Sequence, residues 1–257
     1  MNDRIDLAII VYSCYKNKDM WAAFSFFYRR YYSKSTCKLI LATDKYEEGN
    51  YAFDDVVELD SSWAEMIKAS IERAGTGYVM LFMDDYLLTD YIDEDKLREA
   101  LADMECYKAQ NIRLLETNVS KMEPFALNSK YMRLIPGSSY CLSTQAGIWD
   151  SSFLLRYLKD GMTAWEFERL YSMKCKDEPI LLLESRAYRF PYMEAVRKGE
   201  WLNQGVKHCK KNGYWIDFSA RRRMSIVKEV TAKAKGLLIK LFPELVQVVQ
   251  NKLLYKS

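Results

Sequence analysis

Two adjacent carboxylates, Asp84 and Asp85, follow six uninterrupted apolar residues, Tyr78–Met83, and a Gly75-Thr76-Gly77 turn precedes that run. An apolar run of this length between turn signals reads as a strand buried on both faces, as in parallel sheets. Open parallel sheets gather ligands beyond the carboxyl ends of their strands. Paired carboxylates at that point could hold a divalent cation against phosphate oxygens; they could equally cap the next turn and face water. A second acidic pair, Glu166 and Glu168, lies in Thr163-Ala164-Trp165-Glu166-Phe167-Glu168. Thr163 with Glu166 fits a capping box, which gives Glu166 a local task and leaves Glu168 the freer carboxylate. Residues two apart sit about 200° around a helix axis, so the pair cannot face one site. Phe167 and Trp165 would anchor the turn in the core. A carboxylate at a helix start is kept ionised by the helix dipole and suits a general base.

The elements that must position these groups follow from the hydrophobic pattern. Ile5–Ser13 and Cys37–Thr43 read as strands, Val56–Leu59 as a short third one, and Met20–Tyr32 as a helix with aromatic residues at helical spacing. Ser62 with Glu65 is another capping box, opening a helix that ends near Ala74 with Gly75 at its C′ position. The first 90 residues thus read β-α-β-β-α-β, with Ser13, Asp44, Asp60 and Asp84 just past strand ends. Asp93–Tyr107 and Ser151–Lys159 read as helices, and Ile112–Glu116, Tyr131–Ile135 and Pro179–Glu184 as strands. The expected fold is α/β, a mostly parallel central sheet flanked by helices. No G-x-G-x-x-G follows the first strand and no G-x-x-x-x-G-K-[ST] occurs, which disfavours the dinucleotide and P-loop classes.

Composition narrows the class further. At 257 residues, 49% hydrophobic and 14% aromatic, the chain can build a full core. Its six cysteines form no C-x-x-C pair and read as reduced, buried thiols. With one histidine, a Cys/His zinc site is disfavoured. No signal region or stretch of roughly 18 apolar residues occurs, so a cytoplasmic protein is expected. Residues 221–257 carry nine Lys/Arg against two acids, while the first 220 are net acidic. This basic tail, with Leu238, Leu241, Phe242, Leu245, Val248 and Val249 at helical spacing, suits either an amphipathic helix on anionic lipid or a terminal helix on the core. The domain division expected is 1–220 and 221–257.

The element order, together with Ser143-Thr144-Gln145-Ala146-Gly147-Ile148-Trp149 and Ala164-Trp165-Glu166-Phe167-Glu168, resembles the nucleotide-sugar glycosyltransferases of the GT-A fold. The bacterial enzymes that build lipopolysaccharide or capsule are the nearest in kind. The resemblance spans roughly residues 5 to 205 in element order. It implies transfer of a sugar from a nucleotide-sugar donor to a saccharide hydroxyl, with Mg²⁺ or Mn²⁺ neutralising the diphosphate leaving group. The acidic motif departs from the usual Asp-x-Asp, being Met83-Asp84-Asp85-Tyr86, which leaves open which aspartate meets the metal and whether one is used. By the same resemblance Tyr12, Ser13 and Asp44 would meet base and ribose, and Lys68 would approach the nucleotide. Gln145, Trp149 and Trp165 would line the substrate side, and Arg197 and Lys198 the diphosphate. His208 would be a third metal ligand, although a surface histidine in a Lys-rich turn is the commoner case. The base of an inverting transfer would be Glu168 or Glu166; a retaining enzyme needs none. The implied partners are the donor, an acceptor that can be lipid-linked, and the inner face of the cytoplasmic membrane, with no nucleic acid. A sugar-nucleotide nucleotidyltransferase is the runner-up, but it would have a glycine-rich first loop and Tyr12–Lys18 has no glycine. A non-catalytic membrane-associated scaffold of the same fold is the third reading.

Overall fold

The computed structural model describes residues 5–114, 121–138, 140–172, 174, 179–231 and 234. In chain order the elements are β1 (Leu7–Tyr12), α1 (Lys18–Tyr32), β2 (Lys38–Thr43), β3 (Asp55–Glu58), α2 (Trp63–Ala74), β4 (Tyr78–Met83) and β5 (Tyr86–Leu88). They continue with α3 (Glu94–Tyr107), β6 (Asn111–Arg113), β7 (Met122–Pro124), β8 (Tyr131–Leu134), β9 (Gly147–Asp150), α4 (Ser151–Tyr157) and α5 (Ala164–Glu166). Last come β10 (Ile180–Leu183), β11 (Tyr192–Glu194), β12 (Val196–Arg197), β13 (Glu200–Trp201) and α6 (Asn203–Lys211). A π-helical turn, Phe167–Tyr171, continues α5.

Among the described residues the main sheet has nine strands in the order β3-β2-β1-β4-β9-β6-β10-β8-β7. β3, β2, β1 and β4 are parallel, as are β6 and β10, whereas β9 runs against both β4 and β6 and β8 runs against β10. This is the mostly parallel, helix-flanked α/β fold expected. β4 is buried through Val79–Phe82, as its unbroken apolar run requires. Ala8 and Ile10 of β1 and Val79 and Leu81 of β4 share one face with Trp63, Ile67 and Ile71 of α2 and Phe153 of α4. On the alternate register of β4, Phe82 meets Phe24 of α1 edge to face.

Both sequence capping boxes are formed. Ser62 accepts from the Glu65 amide while the Glu65 carboxylate takes the Ser62 amide, and Gly75 closes the helix at φ 63°. Thr163 and Glu166 make the same reciprocal pair. Not every cysteine is buried: Cys106 is exposed and Cys14 half-buried.

The chain divides into two compact units, the described residues up to Glu194 and those from Ala195 onward. In the second, β12 and β13 form a hairpin whose turn, Lys198-Gly199, has positive φ at both positions, the geometry of a two-residue hairpin. Gly205 of α6 lies on Ala195: a Cβ there would stand 2.7 Å from the Ala195 carbonyl oxygen. Leu238 to Val249, the apolar part of the expected tail helix, lie outside the described residues.

Candidate active site

The carboxyl ends of β1, β2 and β4 lie along one sheet edge, because Tyr12 pairs with Ala42 and with Met83. Side chains just past those ends tie the strands together. The Ser13 hydroxyl donates to Asp84 Oδ2 and accepts from the Trp21 indole at 2.7 Å. Asp44 Oδ1 accepts the Tyr15 amide at 2.6 Å and the Thr43 hydroxyl at 3.2 Å. Asp84 and Asp85 form the turn between β4 and β5, and Asp84 is buried. The Cys14 thiol is pushed up by burial and then by the charges of Asp84 and Asp44.

A second set of groups reaches the same edge from the other half of the sheet. β9 runs antiparallel, so Ser143-Thr144-Gln145-Ala146 enters it beside the carboxyl end of β6, where Gly147 pairs with Arg113 and with Leu81. Glu168, in the π turn, receives three hydrogen bonds on Oε1: from the Thr144 amide at 2.7 Å and from the Ser143 and Thr144 hydroxyls at 3.0 Å each. Among the described residues Oε2 takes none. π turns inside helices recur at functional sites. Glu166 is exposed and engaged with Thr163 at 2.8 Å; that cap draws its carboxyl below the ordinary value.

Tyr12 joins the two sets. Its phenol is pushed well up, first by burial; a Thr144 hydrogen bond opposes this, while the charges of Glu168, Asp85 and Asp84 add to it. Tyr192 and Tyr86, rings 4.8 Å apart, stand against this cluster, and the Tyr192 phenol feels burial first, then Ala146, Arg113, Glu194 and Asp85. Arg113 is buried at the end of β6 and donates to the Tyr140 carbonyl at 3.0 Å. Burial lowers it to about 10 against the pull of Cys141, Glu168 and Tyr192, so it remains a cation at neutral pH. Tyr140 itself sits at φ 55°, a conformation a non-glycine residue holds only where its surroundings impose it.

Not all expected site residues are brought together. Trp149 is fully buried, its ring against Phe153 and Phe167. It has no face to offer a sugar, and its assignment to the substrate side is corrected to a core role. Trp165 is 72% exposed, so Phe167 alone anchors the turn in the core. Lys68 is ion-paired with Asp160 at 2.6 Å, which takes its ammonium toward the loop after α4. Gln145 lies in the site loop, its Oε1 buried without a hydrogen-bond partner among the described residues. Arg197, Lys198 and His208 belong to the second unit, with the His208 ring 3.3 Å from the Asn212 amide nitrogen. Arg113, Thr144 and Tyr192 escaped the sequence reading. For Arg113 the available signal was a cation inside the apolar run Ile112–Leu115.

The donor set suits a hard cation. Two adjacent carboxylates at a rigid strand end are what Mg²⁺ or Mn²⁺ takes from a protein when phosphate oxygens complete its shell. Among the described residues no group of three or more His, Cys, Asp or Glu is placed to hold a metal.

No protein-family model and no curated protein sequence matches the chain. Solved structures do. The chain is similar to S. aureus TarS 1–349 in complex with UDP-GlcNAc, at 15% identity and TM-score 0.48, over 77% of this chain and 60% of that one. It is similar to the mannosyltransferase PcManGT of Pyrobaculum calidifontis in complex with GDP-Man and Mn²⁺, at 10% identity and TM-score 0.46, over 76% of this chain and 59% of that one. A Leptospira borgpetersenii cytidylyltransferase matches at 10% identity and TM-score 0.42, over 87% of this chain. The chain thus spans about three fifths of the length of the two glycosyltransferases. With every one of these TM-scores below 0.5, the chemistry of this chain has to be read from its own side chains.

Proposed function

We propose that this chain is a metal-assisted glycosyltransferase that moves a sugar from a nucleotide-sugar donor to a saccharide hydroxyl of a bacterial surface glycan, lipopolysaccharide or capsule, with inversion. The observation that carries the reading is that two separate acidic groups reach one edge of the sheet, Asp84–Asp85 just past the end of β4 and tied to Ser13, and Glu168 tied to the Ser143–Thr144 loop that enters β9 beside β4. Such a transfer needs both. Asp84 and Asp85 would hold Mg²⁺ or Mn²⁺, which neutralises charge on the departing diphosphate. Ser13 fixes Asp84, and Asp44 stands at the neighbouring strand end for the nucleoside.

Glu168 takes the acceptor proton on Oε2 while Oε1 stays bound to the Ser143–Thr144 loop. The acceptor oxygen forms its bond to the anomeric carbon as the bond to the diphosphate breaks, from the opposite face. Arg113 holds the loop by donating to the Tyr140 carbonyl. Gln145 and exposed Trp165 are assigned to the substrate side. The lack of glycine in Tyr12–Lys18 keeps a nucleotidyltransferase behind this reading.

The test is thermal stabilisation by nucleoside diphosphates and sugar nucleotides, with and without Mn²⁺. Stabilisation that depends on Mn²⁺ is expected, lost in at least one of Asp84→Asn and Asp85→Asn. Equal donor binding in both variants removes the site from this strand.

A further inference from the structure

In the second unit the polarity of one helix is inverted. Residues 226–231 are helical. Glu229 is buried and accepts the Asn203 amide at 2.9 Å and its side-chain nitrogen at 2.6 Å. Lys228 reaches Glu200 at 3.2 Å. Ile226, Val227 and Val230 share an arc of about 100° on the helix and are exposed, Val227 to 76%. A helix on a soluble domain ordinarily does the reverse, burying its apolar arc and wetting its charges. Nearby in sequence, Trp215 is 78% exposed and Phe218 is also exposed. Among the described residues, most of the exposed large apolar side chains therefore fall between 215 and 230.

The charge along this stretch is mostly positive. Residues 203–231 carry seven Lys/Arg and two acids, Asp217 and Glu229. Asp217 is engaged by the Ser219 amide and hydroxyl at 2.8 and 2.7 Å, and Glu229 is turned inward. Lys207, Lys210 and Lys211 are exposed as well, while Arg222 pairs with Glu200 at 2.6 Å. Trp and Phe settle at the boundary between water and acyl chains, aliphatic side chains enter it, and Lys/Arg pair with anionic headgroups. A second copy of the chain would bring like charge against like.

We propose that residues 215–230 form a docking surface for an anionic lipid bilayer, entered by Trp215, Phe218, Ile226, Val227 and Val230. The inference does not rest on the glycosyltransferase reading. It locates membrane contact in described residues of the second unit, Trp215 and Phe218 ahead of the basic tail and Ile226, Val227 and Val230 at its start.

The test uses the full chain with vesicles of phosphatidylcholine containing phosphatidylglycerol, and of phosphatidylcholine alone. Binding is expected to the former, weakened by salt. The triple variant Trp215→Ser/Ile226→Ser/Val227→Ser is expected to lose at least tenfold in binding while its melting temperature is kept. Should that variant not fold, the otherwise native chain decides: brominated acyl chains are expected to quench a fluorescence component that Trp215→Phe removes. The proposal is overturned if the triple variant binds as the native chain does, which would put the contact elsewhere, or if the native chain ignores anionic vesicles. Absence of that quenching, or self-association that the triple variant abolishes in place of vesicle binding, overturns it as well.

Discussion

Glu168 is a carboxylate with a division of labour between its oxygens. Oε1 accepts from three donors of Ser143 and Thr144, and among the described residues Oε2 takes no hydrogen bond, which leaves it for the proposed proton transfer. Glutamine can present a carbonyl oxygen to the same three donors, so Glu168→Gln preserves the loop and removes only the base. Turnover is expected to fall by about 10²–10⁴ with donor affinity nearly unchanged, checked by steady-state kinetics beside donor-dependent melting. A product that keeps the donor's anomeric configuration, read by NMR, would rule out the role. The acids of this site were legible in sequence because each sits at a punctuation point: Asp84 and Asp85 after an apolar run, Glu168 one step beyond a cap. Trp149 was misread because a tryptophan late in a polar segment carries the same signal whether it lines a sugar or a core. What decided it was Phe153 and Phe167, from an adjoining helix and a turn beyond it. Arg113 was invisible for a related reason, since its partner is a backbone carbonyl 27 residues away.

Among the elements, α2 carries the strongest local signal. Glu65 is held down to about 2 by the hydroxyls of Ser62 and Ser61 and the Gly161 amide, against an ordinary value of 4.5. A carboxyl lowered in the folded state adds stability above its unfolded value and loses it as pH falls toward the folded one. Glu65→Gln should therefore lower the melting temperature at neutral pH, and the gap should narrow below about pH 4.5 and close near pH 2. A gap that persists in acid would mean the cap owes nothing to the charge. α6 offers the opposite lesson. Helix propensity favours Ala over Gly by about 1 kcal/mol, yet a Cβ at Gly205 would stand 2.9 Å from Ala195 Cα and 2.7 Å from its oxygen. Gly205→Ala is expected to destabilise by roughly 1–3 kcal/mol, seen as faster amide exchange in α6 than in β1 or β4. The strands with long apolar runs, β1, β2, β4 and β10, were readable, but short ones such as β5, β9 and β11 were not, nor was strand order. That β9 inserts antiparallel between β4 and β6 depends on pairings such as Val79 with Trp149 and Ile112 with Ile148, far apart in the chain, and no local pattern records it.

At the scale of the molecule, charge follows the division into units. From Ala195 onward the sequence holds 14 Lys/Arg against four acids, while the residues before it are net acidic. The acidic cluster around Tyr12 lies wholly within the first unit, and the inverted helix at 226–231 within the second. The carboxylates proposed to hold a metal thus belong to one unit, and the surface proposed to meet an anionic bilayer to the other. The boundary between them was not visible in composition, because β12, β13 and α6 have no linker rich in Gly, Pro or Ser before them. Among the described residues no helix is long and apolar enough to cross a membrane.

The link from Trp21 through the Ser13 hydroxyl to Asp84 gives the protein an intrinsic optical probe of that carboxylate. The indole N–H is donated to the same oxygen whose proton is given to Asp84. Any cation that draws electron density from Asp84 weakens its claim on the Ser13 proton, and the change is passed to a ring with no direct contact to solvent. Occupancy at the end of β4 would be written in the absorption and emission of a residue on α1.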